Sequence, residues 1–489
     1  MRQLRIILVF MLLATSLLPQ TLPRQVHAAT QTVPGQYTAI QSAINASSPG
    51  DTVLVSPGTY NETLVIQKAI HLIGTSRDTT IIDGRGLASV IWVNASNVEI
   101  QGFTIRDSDT YGAGVYVVNS TGVSISLNTI ATQWDRSGAG INLFNSNNTQ
   151  IDRNIFSTNL YAISVTSSSG VIITNNQMIS DDTIGVQLED SQKSLVFNNT
   201  FSGGEDGLDI LSSSLNNVTR NLVKAMKYFG ILLRPDNYSA TVSQFPHNNT
   251  INQNTFQANH YAGIELQNAT LNRFYQNDFL VNAKHVYPVP PTLGTSEINS
   301  PNYWDNDAPG GASGNYWDNY TGTDGDLDGI GDTPYVIGAG NMDVRPLMTP
   351  FLPVPVLIRS ITAYPSSGTF PLQVSLNSTI IGTLTPITYL WIFGDGSANS
   401  TLRSPNHTYT RAGNYTVTLT VRDTGGSTDT SIFRVSVGTP PSSPRPLSPT
   451  TLILVLLAAL LGLVLGLVIW RRSRGRSNPH GSNSSHPSR

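Results

Sequence analysis

Asp181, Asp182, Glu205, Asp206, Lys227 and His260 stand at corresponding places just ahead of successive copies of a short repeat. Two carboxylates facing each other across a sugar bond can serve as acid and base, and a lysine can take a proton in an elimination. Tyr111, Tyr161, Tyr228 and Tyr261 occupy neighbouring positions. Their rings offer an apolar face for a sugar and a hydroxyl for hydrogen bonding. These residues together read as an acidic and aromatic stripe. Repeat corners are also exposed, so polar side chains belong there on solubility grounds alone.

A second cluster lies in Thr323-Asp-Gly-Asp-Leu-Asp-Gly-Ile-Gly-Asp-Thr-Pro-Tyr335. Asp324, Asp326 and Asp328 match the first three ligand positions of a calcium loop, and Gly329 its turn. Tyr335 stands where the bidentate Glu would be, so the run is not an EF-hand; Asp332 is the remaining acidic ligand. Calcium is the cofactor this run suggests. The competing reading is a solvated turn in which each Asp caps its own backbone.

The elements that must position these residues come from the repeat. Seven copies begin at Gly114, Gly140, Ala162, Gly185, Gly207, Gly230 and Gly263. Each opens with a small residue followed by apolar residues at a spacing of two, such as Ile141/Leu143 and Ile163/Val165. Each closes on an Asn two before a large apolar residue: Asn128, Asn154, Asn176, Asn199, Asn221, Asn254 and Asn277. A spacing of two is the period of a strand with one buried face. One copy cannot bury that face alone, whereas stacked copies share a core. The Asn then falls at one corner of every coil, where it tolerates left-handed backbone and its amide can bond above and below. A leucine-rich repeat also has an Asn ladder, but it needs a leucine-dominated consensus that is absent here. The predicted fold is an all-β parallel β-helix. Val90, Trp92, Ile100 and Ile105 fit an earlier coil, with Phe103 in the place of the Asn. Tyr37–Ala46 has helical spacing and is expected to cap the open end.

The chain ends bound its location. Arg2 and Arg5, an apolar run from Ile6 to Leu18 and Val26-His-Ala28 read as a secretory signal over residues 1–28. Residues 451–470 lack charge and are long enough to span a bilayer. Arg471, Arg472, Arg474 and Arg476 follow and place the 471–489 tail in the cytoplasm. The bulk is therefore expected outside the cell. Fifteen Asn-x-Ser/Thr sequons precede the span, and Asn61, Asn119, Asn237, Asn319, Asn377 and Asn414 are the favoured glycosylation sites. Net charge is −3 and cysteine is absent. This balance gives no basic field for nucleic acid, and no disulfide framework or thiolate chemistry.

Pro288–Pro291 interrupts the repeat, and Asn302-Tyr-Trp-Asp305 and Asn315-Tyr-Trp-Asp318 follow. With the Asp-Gly-Ile-Gly-Asp-Thr-Pro-Tyr run and Asp343-Val-Arg-Pro-Leu-Met348, this region resembles the closing segment of NosD-type β-helix proteins. The resemblance covers residues 36–350. It implies a right-handed β-helix that binds carbohydrate or assists an extracellular partner. The family's copper role does not carry over, because copper(I) prefers soft sulfur and the chain has no Cys and six scattered Met. Residues 356–438 carry Trp391-Ile-Phe-Gly-Asp-Gly396, His407-Thr-Tyr409 and the alternating run Tyr415-Thr-Val-Thr-Leu-Thr-Val421. They resemble a polycystic-kidney-disease (PKD) domain, an immunoglobulin-like β-sandwich, with Trp391 and Tyr415 expected in its core. Residues 439–449 read as a Pro/Ser-rich stalk.

The reading favoured by these features is a membrane-anchored surface protein that binds glycan or a cell-envelope protein, or scaffolds the envelope. The alternative is an anchored polysaccharide lyase or glycoside hydrolase built on Asp181–Lys227. The Gly-His-Gly and Arg-Ile-Lys motifs of pectin hydrolases are absent, and a fold shared with such enzymes does not itself carry activity.

Overall fold

The computed structural model describes residues 28–132, 138–179, 184–236, 245–289, 301–306, 313–338, 340–353, 356–382, 385–424, 426–440 and 448–474. It divides into two compact units, one up to residue 354 and one from 355.

The first unit is a parallel β-solenoid. Three sheets of eleven, ten and eleven strands run along it, each strand hydrogen-bonded to its counterpart one coil away. The register is constant: Val115, Ile141, Ile163, Val186, Leu208, Ile231 and Ile264 follow one another in a single inward row. All seven are fully buried. The small residue that opens each copy has a steric cause. A Cβ placed on Gly140 would lie 2.6 Å from the Ala162 carbonyl and 2.8 Å from the Phe156 ring. The long-strand sheet meets the next coil and the apolar closing residue at that point.

The closing Asn residues form the ladder expected of them. The main-chain N–H of Asn154 donates to Asn176 Oδ1 at 2.9 Å and its Nδ2 donates to the same oxygen at 3.1 Å. Asn176 repeats this on Asn199, Asn199 on Asn221, Asn221 on Asn254 and Asn254 on Asn277. Phe103, in the Asn position of an earlier coil, supplies only its main-chain N–H to Asn128 Oδ1. The left-handed backbone, however, belongs to the residue before each ladder Asn: Leu127, Arg153, Asn175, Asn198, Arg220, Gln253 and Gln276 all have φ between 54° and 57°. The closing Asn is therefore required for its amide, because the tight bend is made one residue earlier by a variety of side chains.

The solenoid is closed at both ends. The helix Ile40–Ala46 buries Ile40, Ala43 and Ile44. Glu62 accepts the first N–H groups of that helix, from Ile40 at 2.9 Å and Gln41 at 3.0 Å. At the other end, the two Asn-Tyr-Trp-Asp motifs terminate two ladders. Asn302 continues one after Asn272, and Asn315 continues the main one after Asn277. Asn302 then donates to Asn341 Oδ1 and Asn315 to Asp343 Oδ2. The indole N–H of each motif's Trp donates to that same terminal acceptor, Trp304 to Asn341 at 3.0 Å and Trp317 to Asp343 at 2.9 Å. Trp304 stacks on Phe274 and Trp317 on Phe279, both at 4.4 Å, which seals the core with aromatic area.

The second unit is a β-sandwich of a three-stranded and a four-stranded sheet. Trp391 is fully buried at its centre, as are Tyr409, Val417, Leu419 and Val421. Tyr415 differs from expectation: it is partly exposed, stacks on Tyr409 at 4.4 Å and bonds through its hydroxyl to the Arg411 carbonyl. The fully enclosed tyrosine is Tyr409, whose hydroxyl reaches the Phe393 carbonyl at 3.0 Å. Pro449–Arg472 forms a helix long and apolar enough to cross a bilayer by length and composition.

Candidate functional site

The outer face of the ten-stranded sheet gathers the chemistry. Side chains alternate in and out along each strand, so the residues between the buried apolar ones form outward rows. One row reads Trp92, Tyr116, Asn142, Ser164, Gln187, Asp209, Leu232, Glu265 and Tyr287 on consecutive coils. A parallel row on the same face carries Thr166, Glu189, Leu211 and Arg234. On the other side of the central row lie Tyr161, which pairs with Ile184, and Phe229, which pairs with Ala262. Asp206 joins them by accepting the Phe229 N–H at 2.9 Å.

Asp206, Asp209 and Glu265 thus share one face. Asp209 and Glu265 are two strands apart, roughly 10 Å at the Cα atoms. Burial pushes the Asp206 carboxyl up to about 6 and the Glu265 carboxyl up to about 7, each with further upward pressure from a neighbouring acid. Burial raises Asp209 well above the usual carboxylate range, and Asp206 adds to it. Arg234 opposes all three shifts. Asp209 is 3% exposed, and its Oδ1 has no hydrogen-bond partner. Carboxyls held protonated near neutral pH can donate hydrogen bonds or a proton, which an ordinary surface Asp cannot do.

An aromatic patch adjoins the acids. Phe229 contacts Tyr228 at 6.5 Å and Tyr261 edge-on at 5.2 Å, and Tyr261 meets Tyr287 at 5.4 Å. Lys284 Nζ sits over the Tyr261 and Tyr287 rings at 4.8 and 4.2 Å. From Tyr161–Thr166 to Val286–Pro288 the face crosses six strands, about 24 Å.

The residues singled out in the sequence divide on this geometry. Asp206, Tyr161, Tyr228 and Tyr261 come together on or beside the face. Glu205 is engaged with Lys227 at 3.3 Å, and Lys227 also lies over Tyr228 at 5.0 Å. His260 is exposed next to Tyr261. Tyr111 is 88% exposed in a turn several coils away. Asp181 and Asp182 lie outside the described residues, so the Asp181–Lys227 corner is represented by Glu205, Asp206 and Lys227. Asp209, Glu265, Arg234, Phe229 and Tyr287 were not singled out. They sit inside strands, between core residues, and register alone shows which way they point.

In the Asp-rich loop, oxygens of Asp324, Asp326 and Asp328 lie within 4.8 Å of one another. A hard cation takes such a set. The same oxygens accept main-chain N–H groups of their own loop: Asp324 from Asp328 and Gly329, Asp328 from Ile330. Asp332 turns to the Gly325 N–H at 2.8 Å and is not part of the converging set. Copper does not fit the donors. Among the described residues His71, His285 and His407 each face a carboxylate, at 2.7, 3.0 and 2.8 Å, and Met178 and Met226 are buried in the core. Of the favoured sequon residues, Asn61, Asn119, Asn319, Asn377 and Asn414 are exposed, and Asn237 lies outside the described residues.

Comparison with known proteins fits this architecture. Residues 88–245 match the description "Right handed beta helix region". Residues 236–322 match "Periplasmic copper-binding protein (NosD)", and 355–437 match "PKD domain". A cell surface glycoprotein of Methanothermus fervidus is 35% identical over 97 residues, 19% of this chain and 16% of that protein. The pre-pro-metalloprotease PrtV of Vibrio cholerae is 46% identical over 59 residues, 12% of this chain and 6% of that protein. The chain thus spans a small part of the length of the curated relatives it matches. Among solved structures, the PKD1 domain of the same metalloprotease is 33% identical, covers 18% of this chain and 100% of that one, and has a TM-score of 0.15. The Dettilon tailspike protein is 13% identical over 83% of this chain and 91% of that one, with a TM-score of 0.42. The chain thus carries a right-handed parallel β-helix with a NosD-like segment over residues 236–322, followed by a PKD domain over residues 355–437.

Proposed function

We propose that the protein is a membrane-tethered surface β-helix that binds a polysaccharide along the outer face of its ten-stranded sheet. The observation that carries this is the union, on consecutive strands of one face, of aromatic rings (Tyr161, Phe229, Tyr261, Tyr287) with the buried Asp209 and the half-buried Asp206 and Glu265. Sugar sites combine these: rings cover the apolar face of a pyranose, and fixed polar groups take its hydroxyls. The apolar helix Pro449–Arg472 acts as the anchor, and the basic residues after it keep the tail in the cytoplasm. Likeness to a cell surface glycoprotein supports an exterior bulk, and an envelope protein is the alternative partner. The experiment is a polysaccharide-binding panel with the full chain in detergent. Binding lost in Tyr261→Ala supports the reading, and binding that is unaffected by changes on this face overturns it.

Hydrolysis is a second reading favoured by one observation: Asp206 and Glu265 keep their protons to about pH 6 and 7, as a general acid must. Release of reducing ends that is abolished by Asp206→Asn or Glu265→Gln would establish it.

A further inference from the structure

Asp209 differs from the other acids of the face. It occupies the outward row between Gln187 and Leu232, while its neighbours Leu208 and Ile210 point into the core. It is 3% exposed, yet Oδ1 meets no donor. A buried oxygen without a donor is costly, and a ligand donor would relieve that cost. The surroundings restrict what the ligand can be. Asp206 and Glu265 flank Asp209 on the same face, with Glu189, Asp190 and Asp236 at one margin. Arg234 already interacts with Asp206, Asp209 and Glu265 together. The remaining nearby cations are committed, Lys227 to Glu205 and Lys284 to the rings of Tyr261 and Tyr287.

Resting on the polysaccharide-binding reading, we infer that this face takes a chain rich in hydroxyl or amine donors and free of acid groups, with one such donor on Asp209 Oδ1. Above about pH 7, where Asp206 and Glu265 are ionised, a uronate would bring a further negative, acceptor-only group to a face whose arginine is already shared. A neutral glycan supplies hydroxyl donors, and an amino-sugar polymer supplies amine donors as well.

The test measures binding of the full chain in detergent micelles, at about pH 8 and low ionic strength, to a soluble neutral glucan, a chitosan oligomer and polygalacturonate. The glucan or the chitosan oligomer is expected to bind and polygalacturonate not to bind. A stronger chitosan than glucan signal would identify the donor as amine, and the reverse as hydroxyl. Asp209→Ala should weaken binding at least tenfold with an unchanged melting temperature. The less buried pair Asp206→Asn/Glu265→Gln should raise polygalacturonate binding by removing the repulsion, and it remains informative if Asp209→Ala fails to fold. Polygalacturonate bound by the native protein as tightly as the other two would overturn the inference and leave the binding reading standing. Failure of all three to bind would overturn both.

Discussion

Asp343 Oδ2 receives the main-chain N–H of Asn315 at 2.7 Å, and so ends the longest side-chain ladder of the solenoid on an acceptor-only group. Every Asn before it both donates and accepts. At neutral pH Asp343 has no proton to pass on, and it also accepts the Trp317 indole and the Arg345 N–H. Interior rungs and the terminus therefore have different chemical requirements. Asn199→Asp should destabilise by about 3–4 kcal/mol, since it strands the carbonyls of Ile173 and Phe197 and buries a charge. Asp343→Asn keeps one acceptor oxygen and should cost less, about 1–2 kcal/mol. Denaturant unfolding of both variants checks the ranking, and equal losses would contradict it.

Stability should fall as pH rises through the neutral range. Burial raises Asp206 and Asp343 to about 6, and Glu265 and Asp278 to about 7. In the unfolded chain these groups titrate near 4. Between about pH 4 and 7 the folded state therefore binds more protons, and its stability decreases with pH. The contribution is complete below about pH 4 and lost by about pH 7. Asp51, Asp152 and Asp395 are shifted downward and act the other way, but only below about pH 4. A melting temperature several degrees higher at about pH 5 than at about pH 8 is expected, and a rise across that interval would exclude the account.

The small residue at each strand start should tolerate no enlargement. A Cβ on Gly207 would meet the Gly230 carbonyl and Val223. Gly207→Val should cost about 2–3 kcal/mol through overpacking. Ala162→Gly, at the one start that carries a methyl, should cost about 1 kcal/mol. Thermal unfolding of the pair distinguishes steric closeness from simple backbone flexibility.

If the aromatic patch grips sugar, Tyr261→Ala should weaken polysaccharide binding about tenfold, or about 1.4 kcal/mol. Its 38% exposure means that stability should change by less than about 1 kcal/mol. Calorimetric binding and a melting curve measured side by side separate the two effects.

The solenoid was legible because its period is written in residues that have no substitute: a small residue, two inward apolar residues, and an amide. The sandwich was legible from Trp391 and the alternating run to Val421. The acidic face was less so. Asp206 stood out because it precedes a copy, whereas Asp209 and Glu265 sit inside strands where any polar residue fits the alternation. Only stacking shows that residues 56 positions apart share one face. The tandem Asn-Tyr-Trp-Asp and the Asp343-Val-Arg-Pro-Leu-Met348 run are legible as motifs, but only the folded chain shows that Asn341 and Asp343 end the two ladders on the indoles of Trp304 and Trp317. Strict alternation puts Tyr415 on the core face, but it does not show that Tyr415 lies near the start of its strand, where only one neighbouring strand pairs with it.

The longest insertion among the copies separates Asn221 from Asn254 by 33 residues, yet their amides meet at 2.9 Å like any other rung. Surplus chain between two coils therefore leaves the rung intact. Segments of unrelated sequence can be grafted there, or whole turns added upstream of Asp343, and the interior would register neither change. Length and surface decoration in such a rod can diversify independently of its stability.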